Sequence, residues 1–266
     1  MARVWWYRLR WAIPVLIVLA FLVAPPWTVL GKTRLVGYAI CHQLPEHSIF
    51  VGGEQLPLCA RCSGTFLGAL AGFTLMSAWG RRRAANLPPL PILVALIGFI
   101  GLWGFDGVNS YLTFFPNLPH LYQPQNWLRL TTGTLNGFAL SSIIFPVLNF
   151  TLWQTSSAQP VIRNLKELGI MLAVGAGIVV AVWLELPPLL YPLAILSTLG
   201  VVLMLGAVNT VLLLAVIRQE RAAGTWRQAA FPLAIGLAAA FLEIGAIDAV
   251  RMALTRALGL PFGLPF

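Results

Sequence analysis

The sequence predicts an all-α, polytopic membrane protein: a transmembrane bundle of about seven helices with a short extracytoplasmic Cys/His hairpin loop. Three observations carry that prediction. Hydrophobic residues make up 59% of the 266, charged residues only 9%, and the mean hydropathy is +0.84, so too few polar side chains exist to cover a soluble globule. Apolar runs of roughly 20 residues, the length that crosses a hydrocarbon core, recur along the chain and make 1–266 a single membrane domain. All three cysteines fall inside one 22-residue stretch, 41–62, and the rest of the chain is overwhelmingly apolar.

The expected spans, in order, are 12–30, 63–79, 87–109, 130–152, 168–186, 191–217 and 228–250. The first follows Arg8 and Arg10 like a signal peptide, but it is longer than a signal core and no Ala-x-Ala site closes it, so a retained anchor is expected. Around Pro187-Pro188 the sequence leaves open whether 187–217 is one helix or a broken pair.

Placing the N-terminus in the cytoplasm puts eleven of the seventeen basic residues inside: Arg3, Arg8, Arg10, Arg81, Arg82, Arg83, Arg163, Lys166, Arg218, Arg221 and Arg227. Lys32, Arg34, Arg61, Arg129, Arg251 and Arg256 stay outside. The expected localisation is a multi-pass cell-membrane protein with its C-terminus extracytoplasmic. The net charge of +9 then reflects topology and contact with the lipid bilayer; nucleic acid is not an expected partner, and protein partners are not specified. Cys41, His42, His47, Cys59, Cys62 and His120 all fall on the outer face, so function is expected there.

The outer loop, 31–62, carries Cys41-His42-Gln43-Leu44-Pro45 and, after a gap, Cys59-Ala60-Arg61-Cys62-Ser63-Gly64. Gly52-Gly53 supplies the positive φ angles of a two-residue hairpin turn. With that turn, cross-strand partners sum to 105, residue 43 facing 62 and residue 46 facing 59, which brings the two halves together. Pro45 and Pro57 interrupt the ladder and splay its ends. Ser63 marks the start of a helix whose N-terminal dipole, with Arg61, favours thiolates. Cys41, His42, Cys59 and Cys62 have the composition of a Cys3His metal site, zinc or another transition metal such as iron; a disulfide or redox-active dithiol at Cys59-x-x-Cys62 fits the same residues.

The runs C-H-Q-L-P-E-H-S and G-E-Q-L-P-L-C-A-R-C-S-G resemble the signature of a group of bacterial and archaeal integral membrane proteins, domain-of-unknown-function family 2085. Cys41, His42, Gln43, Pro45, Ser48, Gln55, Pro57, Cys59, Arg61, Cys62 and Gly64 carry the resemblance; His47 stands where the family usually has arginine. Asp106-Gly107, and Arg129 with Thr132-Gly133, look like a second family motif, so the resemblance covers roughly the first half of the chain. It implies a membrane fold and lends no activity.

Asp106, Asn109 and Arg129 form an expected polar cluster with Gln43 and Arg61 around the cysteines, with Asp106 paired to Arg129. The glycine-lined second helix, 63–80, carries Gly64, Gly68 and Gly72, and its expected neighbour is the fourth span through Gly133 and Gly137. Gly98, Gly101 and Gly104 form another narrow strip suited to a close helix neighbour. In the last span Asp248 and Arg251 are spaced to pair, and Glu243 has no partner on its own helix. Nucleotide-binding glycine loops and hydrolase motifs are absent. The residues therefore point to a membrane protein with a Cys3His site and name no reaction. A quinone-coupled thiol-disulfide oxidoreductase, with Cys41 as resolving thiol, is one alternative. A transporter or lipid-processing enzyme using Asp106, Arg129 and Glu243 is another.

Overall fold

A computed structural model describes residues 2–115 and 119–259, with only the backbone of 2–10; the side chains of Arg3, Arg8 and Arg10 lie outside the described set. The elements are α1 (Ala2–Val23), α2 (Val29–Ile40), β1 (Ser48–Val51), β2 (Glu54–Cys59), α3 (Ala60–Ala78), β3 (Ala84–Asn86) and α4 (Leu90–Leu112). After these come α5 (Asn126–Leu152), β4 (Ser157–Pro160), α6 (Leu165–Trp183), α7 (Leu190–Val216) and α8 (Trp226–Ala257). Each expected span but the first falls on one helix, the first, 12–30, being divided between α1 and α2, and five helices among the described residues, α4 to α8, are long and apolar enough to cross a membrane. In α3 a polar first turn lowers the mean hydropathy, and in α1 the described apolar part is short.

Pro25-Pro26 ends the first apolar run early, and α2 follows as a short helix where an open loop was expected. Lys32 of α2 reaches back to the carbonyls of Phe21 and Ala24, which the end of α1 leaves without partners inside the helix. Between the fifth and sixth spans, Glu185 at a φ of 50° and a 3-10 turn over Pro187–Leu189 separate α6 from one continuous α7.

The second helix of the expected scheme, α3, sits at the centre and packs on α5, α7 and α6. Its glycines are the reason. A Cβ at Gly64 would lie 2.2 Å from the Leu130 carbonyl oxygen, and at Gly68 2.4 Å from that of Thr134. From the other side, a Cβ at Gly133 or Gly137 would lie 2.3 Å from the Arg61 or 2.1 Å from the Thr65 carbonyl oxygen. The two backbones therefore touch along a four-residue repeat, the contact expected from the sequence.

The second glycine strip behaves differently. Nothing lies within 4 Å of a Cβ built on Gly98, Gly101 or Gly104, because this face of α4 points away from the bundle. Asp248 and Arg251 do not pair either; Arg251 turns to the carbonyl oxygens of Tyr38 and Cys41, and Glu243 receives a hydrogen bond from Asn209 of α7 at 2.9 Å.

The two ends of the bundle differ in character. At one, β3 and β4 pair in parallel, Arg81 forms an ion pair with Glu167 at 2.8 Å, and Arg83 donates to the Gly224 carbonyl at 3.0 Å. The other end is built from the β1–β2 hairpin, the start of α3 and α5, and the ends of α2, α4 and α8. That second end holds the cysteines.

Candidate metal centre

Gly52 and Gly53 form the hairpin turn with φ of 61° and 85°, as their sequence demands. Near the turn the register is the expected one, Val51 facing Glu54 and Phe50 facing Gln55. Closer to the helix it slips by two, so that Cys59 faces Ser48 and not residue 46. The slip falls around Pro57, which has no N–H to give the ladder.

Two glutamines replace the missing ladder. Gln43, at a φ of 52°, donates from its amide to the carbonyls of Arg34 (3.1 Å) and Pro57 (2.7 Å). Gln55 donates to the Gln43 carbonyl at 2.9 Å and to Ser48 Oγ at 3.0 Å. Gly37 lets α2 approach this strand, since a Cβ there would lie 2.1 Å from the Pro57 oxygen. Thus α2, the hairpin and α3 are fixed to one another, and with them the cysteines at their junctions.

The sulfurs of Cys41, Cys59 and Cys62 all lie within 4.8 Å of one another, the only such group of candidate metal ligands among the described residues. No disulfide joins them. Cys41 and Cys59 are buried and Cys62 is partly so. Cys41 Sγ accepts the backbone N–H of Cys59 at 3.2 Å and of Gln43 at 3.5 Å. Hydrogen bonds from the Cys59 and then the Cys62 thiol, with those amides, hold Cys41 far below the usual thiol range against the opposing effect of burial. Donation to Cys41 pushes Cys59 up to about 12. The trio therefore stands as one thiolate held by two thiols.

His42 stands apart from the three sulfurs. Its Nδ1 accepts the Leu44 N–H at 3.0 Å and its ring meets that of His47 edge-on, centroids 5.2 Å apart. The protein around its otherwise open ring lowers the pKa of His42; the Cys41 thiolate opposes this, and Arg61, Arg129 and Arg251 add to it. Burial, then Arg129 and His42, push His47 down to about 4. Both imidazoles are neutral near pH 7, the form that ligates metal.

Asp106 and Arg129 are buried, 1% and 5% exposed. Asp106 pairs with Arg61, not Arg129: Arg61 Nε donates to Oδ2 at 3.1 Å, and the Tyr122 hydroxyl donates to Oδ1 at 2.8 Å. Arg61 follows the Cys59–Ala60 junction by one residue and so leaves α3 on the α4 side, where Asp106 waits. Arg129 instead donates to Ser110 Oγ (2.7 Å) and Asn126 Oδ1 (2.8 Å), all neutral partners. Asn126 ties that arginine to the hairpin through the Ser48 carbonyl at 3.1 Å. Asn109 accepts from the Leu121 N–H at 2.7 Å and shapes the loop that presents Tyr122. Ser110, Tyr122 and Asn126 carried no signal in the sequence beyond being polar near span ends, and Arg251 signalled only a pairing with Asp248, not its place at the Cys41 carbonyl. Gln55 did, as the second amide of a repeated Gln-x-Pro.

Residues 41–143 match the family described as "Predicted membrane protein (DUF2085)". An uncharacterized protein of Methanothermobacter thermautotrophicus is 32% identical over 102 residues, covering 38% of this chain and 81% of that protein. The chain belongs to domain-of-unknown-function family 2085. Another relative in sequence, an uncharacterized protein of Methanocaldococcus jannaschii, is 28% identical over 140 residues, covering 48% of this chain and 83% of its own. No solved structure matches. The match to family 2085 begins at Cys41 and ends at 143 in α5, so it takes in the cysteine trio, Asp106, Arg129 and the α3–α5 glycine contact, and leaves out α6 to α8.

Proposed function

We propose that this membrane protein carries a transition-metal site, zinc by preference, held by Cys41, Cys59 and Cys62, with His42 as the fourth ligand. The observation that carries the reading is the convergence of three sulfurs within 4.8 Å on a rigid junction of three elements. Around a tetrahedral zinc with bonds of about 2.3 Å, sulfurs lie roughly 3.8 Å apart, so closing on an ion asks for about an ångström of movement. A sulfur-rich set favours zinc, copper(I) or iron over hard cations. His42 follows Cys41 directly, and release of its Nδ1 from the Leu44 amide would free the ring to turn. Three thiolates around a divalent ion leave one negative charge. Arg129, buried among neutral partners and interacting electrostatically with Cys59, suits that charge.

The proposed compartment is the extracytoplasmic face, from the crowding of Arg81, Arg82, Arg83 and Arg163 toward the other end of the bundle. Metal per chain and free thiols are to be measured together on protein purified under mild conditions, for the wild type and Cys59→Ser. One ion per chain, all three thiols protected until chelation, and loss of the ion in Cys59→Ser are expected. No metal, with two thiols oxidised and reducible, would overturn the reading in favour of dithiol redox chemistry.

A further inference from the structure

Along the C-terminal part of α8, beside the cysteine loop, runs an open groove of about 740 Å³. One wall is the α8 face of Ile247, Val250 and Leu254 continued by the capping residue Leu258, and the other is His42 with Leu44. The spacing of the α8 residues puts them on one side of the helix, and they and Leu258 are 45 to 67% exposed. In volume the groove falls within the roughly 300–1,000 Å³ of ligand sites.

Its chemistry is uneven. Below Arg251 the lining continues only as Ala246, Ile247 and Val250, whereas at and beyond Arg251 the polar groups of the groove, Arg251, His42 and Thr255, stand among Leu44, Leu254 and Leu258. Among the described residues the ion pairs are Arg34–Glu54, Arg61–Asp106 and Arg81–Glu167, so Arg251 has no acid in contact. Its Nη1 serves the Tyr38 and Cys41 carbonyls and its plane lies over the Tyr38 ring, 4.1 Å from the centroid. Among the described residues Nε and Nη2 have no hydrogen-bond partner and are left for a ligand. Arg61, Arg129 and Arg251 all act on His42, and of the three only Arg61 is ion-paired. Because His42 Nδ1 accepts from Leu44, the ring's proton sits on Nε2, a further donor. A positive mouth above an apolar wall matches an anionic amphiphile.

We infer that the groove holds one membrane phospholipid with an anionic phosphate head, its phosphate at Arg251 and an acyl chain along Val250, Ile247 and Ala246. The bound lipid lies against the loop that carries Cys41. Arg251 supplies the charge whether or not His42 is drawn to an ion, so the inference is independent of the metal reading.

The test uses the full chain in phosphatidylcholine vesicles with a few per cent of a phosphatidylglycerol carrying a photo-activatable group in its acyl chain. The same group on phosphatidylcholine is the control, and metal content is measured on the same samples. Phosphatidylglycerol is expected to label the 246–258 segment several-fold more than the control. That excess should vanish in Arg251→Gln and in Leu254→Trp, which fills the groove and leaves Arg251 on its carbonyls. Labelling of the exposed α4 face at Leu90 and Val94 should be the same for both probes. Equal labelling of 246–258 by the two lipids, or an excess that survives both substitutions, would reduce the groove to ordinary bilayer contact and overturn the inference.

Discussion

Asp106 is the residue on which the polar shell of the cysteine site converges, since Arg61 and Tyr122 both end on its carboxylate and it is almost fully buried. Removing one partner of a buried ion pair strands the other charge, at about 3–5 kcal/mol. Asp106→Ala should therefore lower stability by about that amount in denaturant or thermal unfolding, whereas Asn126→Ala, which removes neutral hydrogen bonds, should cost about 1–3 kcal/mol. An equal effect of the two would mean that the Arg61 charge finds another partner. His47 gives the site a pH dependence. Its pKa falls from 6.5 to about 4 on folding, so the folded state binds the proton more weakly than the unfolded one. The stability that neutral His47 contributes is present above pH 6.5 and lost as the pH falls through about 4. Between pH 7 and 4.5, the melting temperature of metal-free His47→Gln should fall less than that of the wild type; parallel curves would show that His47 does not carry the effect. Cys41, Cys59, Cys62 and Gln43 were legible as a group because few other polar residues compete with them. The choice of Arg61 over Arg129 as partner of Asp106 was not, because it depends on which way a side chain leaves α3.

At the scale of elements, the α3–α5 contact decides whether the site exists at all. A Cβ at Gly133 would lie 2.3 Å from the Arg61 carbonyl oxygen and one at Gly64 2.2 Å from that of Leu130, so a side chain at either forces the helices apart directly beneath the cysteines. Gly133→Leu should abolish metal retention and depress folded yield. Gly101→Ala, where a Cβ meets nothing, should leave metal content unchanged and stabilise the protein by up to about 1 kcal/mol through helix propensity. Similar behaviour of the two variants would sink the close-contact account. Both glycine strips read alike in the sequence, each a repeat of small residues on a membrane helix. They differ only in what stands opposite: α5 for one, open surface for the other. The hairpin turn was legible from Gly52-Gly53 alone, since its φ angles are a property of the dipeptide. Its register slip at Pro57 depends on Gln43 and Gln55 reaching across.

For the whole molecule, the clustering of Arg81, Arg83, Arg163 and Arg221 toward one end and of all three cysteines at the other makes sidedness a single binary quantity. A membrane-impermeant maleimide applied to intact cells should label Glu54→Cys, at the exposed hairpin tip, and not Arg82→Cys; the wild type, whose cysteines are largely covered, is the blank. The reverse pattern would place the site in the cytoplasm. Composition and run length determined by themselves that this is a helical membrane protein, where its spans lie and that its chemistry gathers around Cys41, Cys59 and Cys62. Those are local properties, since burying the backbone in lipid requires helices of a fixed length and only one stretch carries thiols. Tertiary structure alone decided that α3 is central, that Asp106 belongs to Arg61, that His42 gives its Nδ1 to the Leu44 amide and lies outside the three-sulfur group, and that Arg251 braces the Cys41 carbonyl from a helix some 210 residues further along the chain. These are choices among chemically equivalent partners. Only the packing of distant segments, set by where backbones can touch, distinguishes one from another.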